Sequence, residues 1–208
     1  MSRSSNTELR RKQIVQGLMA IMAEDGYDGA TIPLIAKAAG LTPGLIHYHF
    51  NNKQSILIAL IDHLNDSVQK RFLELTKKND GAEQLRAFIQ AYVGLGKGSD
   101  ARAVACWIAI GAEAVRQPEV RTAYQRVTKI QLNILEEICA RALSDAGRPI
   151  KQKREIALGI ICAIEGAYRL LVSAPELIVP GFAVRTITKM AFGLISDAAV
   201  SNRNKGTS

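Results

Sequence analysis

Aromatic side chains are scarce in this chain of 208 residues, 5% of the total with a single Trp. Alternating runs of Val, Thr and Tyr are missing, while hydrophobic residues make up 48%. Together these facts set sheet aside and predict an all-α protein built on Ala, Leu and Ile. Cysteine is limited to Cys106, Cys139 and Cys162, odd in number, far apart and each set in apolar helical sequence. That pattern reads as core thiols in a reducing compartment rather than a disulfide framework. A redox sensor needs a thiol beside a cation or a helix N-terminus, and only Cys139, with Arg141 two positions on, comes near. Catalytic signatures are lacking as well: neither His-Glu-x-x-His nor Gly-x-Ser-x-Gly occurs, and metal ligands are not clustered. No enzymatic activity, cofactor or metal is therefore expected. The first residues lack the apolar core of a signal peptide. The longest apolar stretch, 157–174, is cut by Glu165 and Arg169 and reads as too broken for a membrane span. The expectation is a soluble, cytoplasmic protein with no membrane partner.

What is present centres on residues 31–50, which read as a helix-turn-helix. Thr31 is a preferred N-cap with Pro33 in the first turn, and Leu34, Ile35 and Ala38 are expected to face inward. Gly40 stops this helix, because a residue just past a helix end often takes a left-handed backbone that glycine adopts without a Cβ clash, and Leu41 follows as a buried plug. The second helix starts at once, with Thr42 as N-cap and Pro43 at the first helical position. Ile46 and Phe50, four apart, turn towards the first helix. Gly44, His47 and Tyr48 then point outward, one bare backbone and two side chains able to meet phosphates or base edges in a major groove. Lys53, opening the next helix, and the capping Thr31 and Thr42 are placed for phosphates, helped by the N–H groups of helix N-termini. Basic residues outnumber acidic ones by 27 to 19, a net charge of +8 that suits an anionic polymer. His47 and His49 form a His-x-His pair, but positions i and i+2 of a helix point to different sides, and His63 is the only further histidine.

From residue 26 to 53 the run Gly-x-x-x-Ala-Thr-Ile-x-x-Ile-Ala-x-x-Ala-Gly-Leu-Thr-x-Gly-x-Ile-x-x-x-Phe-x-x-Lys resembles the N-terminal domain of the TetR family of transcriptional regulators, a likeness covering residues 8–64. Further on, Arg10-Arg11-Lys12-Gln13, Ala105-Cys106-Trp107 and Gln117-Pro118 are similar to the BetI branch of that family, repressors of glycine-betaine synthesis genes that sense choline. The resemblance implies a ligand-responsive repressor that binds a palindromic operator on double-stranded DNA as a homodimer and is released by a small molecule. Many family members carry Tyr where this chain has His47, so the bases it reads do not carry over.

Taken in order, the chain predicts about nine helices. Residues 1–7 are polar and read as mobile, with Arg3 able to reach DNA. A helix from Glu8, with Ile14, Leu18, Ile21 and Met22 at helical spacing, ends at Asp25-Gly26. The helix from Lys53 repeats Leu57, Ile61, Leu64, Val68, Phe72 and Leu75, and at about 35 Å it is longer than a reading domain needs. In the resembled family this helix joins the DNA-binding and ligand-binding domains; a passive spacer is the alternative. Residues 83–93 read as a helix, and the glycine-rich 94–100 as an interhelix loop, since the Walker spacing is absent and no strand precedes it. Ser99 or Asp100 caps a helix over 103–115, Pro118 opens one reaching Leu143, and two closing helices span 152–173 and 182–199.

This organisation gives residues 1–52 as a helix-turn-helix DNA-binding domain, 53–200 as a helical ligand-binding and dimerisation domain, and 201–208 as a disordered tail. Small residues Gly159, Ala163 and Gly166 on the first closing helix allow close approach of another helix, and a four-helix dimer interface is the expected use of the last two helices. For a choline-like cation, Trp107, Tyr124 or Tyr168 with Glu113 or Glu165 are the cage candidates; ordinary core packing is the competing use of each ring. A helical scaffold that binds protein without DNA is the rival class, separable by the steep salt dependence of DNA binding.

Overall fold

The computed structural model describes residues 3–78, 80–94 and 100–198, with side chains from Asn6 onward. Among them lie nine α-helices: α1 (Arg3–Gly29), α2 (Ile32–Ala39), α3 (Pro43–His49), α4 (Lys53–Leu75), α5 (Gly81–Val93), α6 (Ala101–Arg116), α7 (Pro118–Asp145), α8 (Lys153–Ser173) and α9 (Phe182–Asp197). Short 3-10 turns precede α8 and α9, and no strand occurs among the described residues. The all-α expectation holds. One boundary moves: α1 begins at Arg3, so residues 3–7, expected to be mobile, are helical. The expected tail at 201–208, the Arg3 side chain and most of the 94–100 loop lie outside what is described.

The helices gather into two compact units, Met1–Ser67 with Asp100–Val127, and Val68–Ser99 with Thr128–Ser208. α4 and α7 therefore each contribute to both units. This grouping follows packing, and it places α6 and the first turns of α7 with α1, α2 and α3.

In the first unit α1 packs on α2, α3 and α6, and its apolar stripe, with Ile14, Leu18 and Met22, is buried, as are Ile35 of α2, Ile46 of α3 and Leu57, Leu60 and Ile61 of α4. α1 and α2 approach so closely at Gly17 that a Cβ there would stand 2.8 Å from the Ile35 carbonyl oxygen. α1 is not straight: Gly26 has φ 71° and ψ 179°, a left-handed position that turns the chain and leaves Tyr27 to Gly29 as a hook. Ile110 and Cys106 of α6 and Val120 and Val127 of α7 complete this core.

The second unit rests on Leu85, Phe88 and Ile89 of α5, Leu135 and Leu143 of α7, Ile160 and Ile164 of α8, and Ile187 and Ile195 of α9. Its tightest crossing is at Gly81, where a Cβ would fall 2.2 Å from the Ala142 backbone nitrogen. Two carboxylates cap the start of α5 there: Asp80 accepts from the Glu83 N–H, and Asp145 of α7 accepts from the Gly81 N–H at 2.9 Å.

One face of this unit is uncovered. On α8, Leu158, Leu170 and Val172 are exposed by 43–45%, and on α9 Phe182, Met190 and Leu194 by 43–51%. The two sets adjoin, since Leu194 Cδ1 lies 3.9 Å from where a Cβ on Gly159 would stand. By length and composition Ile150–Ser173 is long and apolar enough to cross a membrane. Glu165 and Arg169 therefore leave the stretch apolar enough in length and composition, where the sequence read it as too broken.

Candidate functional site

The helix-turn-helix forms as its punctuation predicts. Thr31 Oγ1 accepts from the Leu34 N–H at 3.4 Å, and Gly40 adopts φ 66° at the end of α2. The Leu41 N–H then reaches back to the Ala36 carbonyl at 2.9 Å, which closes the α2 C-terminus in a Schellman arrangement. The inward face of α2 differs from expectation: Ile35 and Ala36 are buried, whereas Leu34 is 40% exposed and Ala38 is exposed. Leu34 and Ala38, four apart, share one column of α2, and the close approach of α1 at Gly17 selects the neighbouring column, which contains Ile35 and Ala39. Leu41 is half-buried rather than fully plugged.

α3 has two contrasting faces. Ile46 and Phe50 are buried, as predicted, while Thr42, Gly44, His47 and Tyr48 are exposed, Tyr48 by 74%. These four candidates are thus brought to one open surface. Thr42 makes no side-chain capping hydrogen bond, so its hydroxyl is not spent on the helix. A Cβ on Gly44 would meet nothing within 4 Å, so nothing inside the chain demands glycine at that position. The Tyr48 and His49 rings meet edge to face at 5.0 Å. No group of three metal-ligating side chains occurs among the described residues, and His63 lies on α4.

Lys53 is engaged within the chain. Its Nζ donates to the Tyr27 carbonyl at 2.8 Å and sits 4.2 Å from the centroid of the Tyr27 ring. The expected phosphate cation is also a strut between α4 and the hook after Gly26. Missed by sequence reasoning is Arg11 of α1, whose Nη1 donates to the His49 carbonyl at 2.5 Å and whose guanidinium carbon lies 4.0 Å from the Phe50 ring centroid. The only signal available was its position in the Arg-Arg-Lys run. α4 begins with a reciprocal cap, Asn52 Oδ1 accepting from the Ser55 N–H at 2.8 Å and Ser55 Oγ from the Asn52 N–H at 3.3 Å.

Of the effector candidates, Trp107, Glu113 and Tyr124 belong to the first unit, Glu165 and Tyr168 to the second. Trp107 is buried, and its ring stacks on that of Tyr124 with centroids 5.0 Å apart and planes at 28°. Glu113 is 5% exposed and its carboxylate is already matched: Arg116 Nη2 donates to one oxygen, and Gln117 Nε2 to the other at 2.7 Å. Gln117 Oε1 in turn accepts from Gln54 Nε2 of α4 at 2.9 Å, and Gln54 also reaches Glu119 at 3.3 Å. The Tyr27 phenol, pushed above its ordinary pKa mainly by burial, is drawn partly back by the Gln117 amide. Glu113 thus anchors a polar cluster joining the α6–α7 corner to α4 and the end of α1. In the second unit Tyr168 is buried and donates to the Tyr92 carbonyl at 3.1 Å, with burial pushing both phenols well up. Glu165 is half-buried. Cys106 and Cys139 are buried thiols, each pushed up by burial to about 12.

Comparison with known proteins adds to this geometry. Residues 14–60 match the family model for bacterial regulatory proteins of the tetR family, and residues 81–191 match that for the C-terminal part of BetI-type transcriptional repressors. The HTH-type transcriptional regulator BetI of Rhizobium meliloti (strain 1021) is 31% identical over 175 residues, which cover 80% of this chain and 81% of that protein. A TetR-family transcriptional regulator from Rhodococcus sp. superposes with a TM-score of 0.78 at 20% identity, covering 90% of this chain and 98% of the other. A transcriptional regulator from Saccharomonospora viridis, solved in complex with choline, superposes with a TM-score of 0.72 at 19% identity, covering 90% and 95%. At such identities the two structures speak to the fold.

Proposed function

The chain belongs to the TetR family of bacterial regulatory proteins, in its BetI-type branch, as a DNA-binding transcriptional regulator, and from that premise we propose that it is a homodimeric repressor released from a palindromic operator by a small cation. The observation that carries this reading is the outward face of α3, where Thr42, Gly44, His47 and Tyr48 are exposed while Ile46 and Phe50 hold the helix to the core. His47 and Tyr48 supply the base-reading or phosphate contacts in this proposal, Gly44 lets the backbone approach the groove, and Thr31, Thr42 and Lys53 position the domain on phosphates. DNA binding is assigned to residues 1–52, ligand binding and dimerisation to 53–200, and the working place to the cytoplasm. No catalytic step is assigned.

The uncovered apolar face of α8 and α9 supports the homodimer. An exposed apolar surface of this kind asks for a cover, and in a DNA-binding regulator a second copy is a fitting one. Two copies would give a four-helix interface and present two α3 helices to successive turns of a palindromic site. A choline-like effector is supported by the BetI-type membership and by the Trp107–Tyr124 pair, whose ring faces attract a quaternary ammonium. Tyr168 and Glu165 are the candidates from the second unit. Glu113 fits a different part, since it holds Gln117 against Gln54 and so links the helices bearing the ring pair to α4. An effector that prefers the released form about 100-fold shifts occupancy by about 3 kcal/mol, enough for induction.

The test is a mobility shift on the DNA upstream of the protein's own coding sequence, with and without choline, beside a His47→Ala, Tyr48→Ala variant. A salt-sensitive shift that the variant loses and choline reverses is the expected result. No shift on that fragment or on random genomic fragments would sink the reading and leave a helical module that binds protein. A choline response that survives Trp107→Phe and Tyr124→Leu would remove the ring pair from the proposal.

A further inference from the structure

α3 is only seven residues long, too short to be stable by itself, and its position depends on what grips it from outside. Two of the grips are apolar, Ile46 and Phe50. The last carbonyls of any helix lack intrahelical N–H partners, and here the Phe50 N–H closes one of them by bonding to Ile46 at 2.8 Å. Arg11, thirty-eight positions earlier, donates to the His49 carbonyl at 2.5 Å, and its guanidinium carbon stands over the Phe50 ring, 4.0 Å from the centroid. One side chain from α1 thereby binds the carbonyl end of α3 and the ring that follows it, and its charge stands where a helix C-terminus attracts a cation. The opposite end of α3 carries no side-chain cap from Thr42.

We propose that Arg11 is a positioning residue for operator recognition, fixing the axial place and tilt of α3 by gripping His49 and Phe50, and so setting sequence discrimination without touching a base. This rests on the DNA-binding reading above. An arginine in a basic run near a helix-turn-helix would otherwise be taken for a phosphate contact, and the two roles have different signatures. A phosphate contact acts alike on all sequences and contributes to the salt slope; a grip on the reading helix acts on the correct sequence only. Arginine is also hard to replace here, since a planar fork can donate and stack at once while an ammonium is a point charge.

The experiment measures affinity of the full-length protein for its operator and for an unrelated duplex of equal length, across a salt series, for the natural protein, Arg11→Lys and Arg11→Gln. Loss of one charged hydrogen bond should lower operator affinity about tenfold in Arg11→Gln, with the unrelated duplex and the salt slope nearly unchanged and Arg11→Lys in between. A parallel loss on both duplexes, with a slope smaller by about one, would assign Arg11 to a phosphate instead. Amide hydrogen exchange on the same proteins gives a readout without DNA: the Phe50 N–H should exchange faster in Arg11→Gln while the Leu41 N–H, which closes α2, keeps its rate. Unchanged Phe50 exchange would overturn the grip. If the natural protein itself selects no sequence, the DNA-binding reading fails, and the exchange measurement still decides whether Arg11 holds α3.

Discussion

The outer face of α3 and the outer face of the α8–α9 pair are both exposed, and their chemistries differ. On α3 the exposed positions are a hydroxyl, a bare backbone, an imidazole and a phenol. On α8 and α9 they are Leu158, Leu170, Phe182, Met190 and Leu194, with Leu194 close beside Gly159. A polar, small-residue face loses little by meeting water and gains from a polyanion; an apolar face of that breadth gains by leaving water. Exposure in a single chain thus signals two kinds of partner, and residue chemistry tells them apart.

The most damaging way to break the comparison is to give the apolar face a charge. Leu158→Asp puts an unpaired carboxylate into the proposed seam from each side, at a cost of about 3–5 kcal/mol. The dimer should weaken at least about a hundredfold by sedimentation, and palindrome binding should fall with it while helicity is retained. Second in size, His47→Ala with Tyr48→Ala should reduce operator affinity by about 30-fold, from about 1 kcal/mol for each of the two lost contacts, the lower end of what a base contact contributes. It should leave the sedimentation coefficient unchanged. If either variant moved the other's readout first, the assignment of the two faces would be reversed or wrong.

A smaller effect tests the cluster on the α6–α7 corner. Gln117→Ala removes partners from Glu113 and Gln54 and should lower stability by about 1–2 kcal/mol in urea unfolding. It should also narrow the ratio of operator affinities measured without and with choline. An unaltered ratio would take this corner out of the switch. The smallest effect concerns acid. His63 on α4 has its pKa held below the ordinary value by burial first and by Lys12 second. The unfolded chain therefore takes up that proton first as pH falls, so the stability His63 contributes is present above about pH 6.5 and is lost on acidification through the folded-state value. Urea midpoints at about pH 7 and about pH 5.5 should differ less in His63→Gln than in the natural protein.

Much of this was legible because local rules act locally. Thr31 and Asp100 mark helix starts through side-chain oxygens that accept backbone N–H groups, Gly40, Pro43 and Pro118 mark helix ends through their own backbones, and the structure places ends beside each of them. Periodicity named the face of α3 correctly through Ile46 and Phe50. It failed on α2, where Leu34 and Ala38 are as helical in spacing as Ile35 yet lie outside, because spacing does not say which neighbour covers a face. Arg11 on His49 and Lys53 on Tyr27 join positions 38 and 26 residues apart, and no short-range pattern encodes them. The tie of Glu113 to Arg116 and Gln117, three and four positions on, was within reach of helical spacing; its burial was not. Gly17 and Gly81 sat unremarked inside or beside helical patterns, and each marks a backbone crossing that only tertiary structure reveals.

The three cysteines acquire a practical meaning from where they fall. Cys106 is sealed in the first unit, where its Sγ donates to the Met19 carbonyl at 3.4 Å, and Cys139 is sealed in the second. With both thiols at about 12, neither forms appreciable thiolate at neutral pH, and a thiol reagent can reach each only when its surroundings come apart. Cys162 sits exposed on α8, in the face assigned to the second copy. Under the proposed pairing of two copies, the natural chain has its own set of chemical clocks: Cys162 would label at the rate of subunit dissociation, and Cys106 and Cys139 at the rates at which their two units open, with no engineered probe needed to time them.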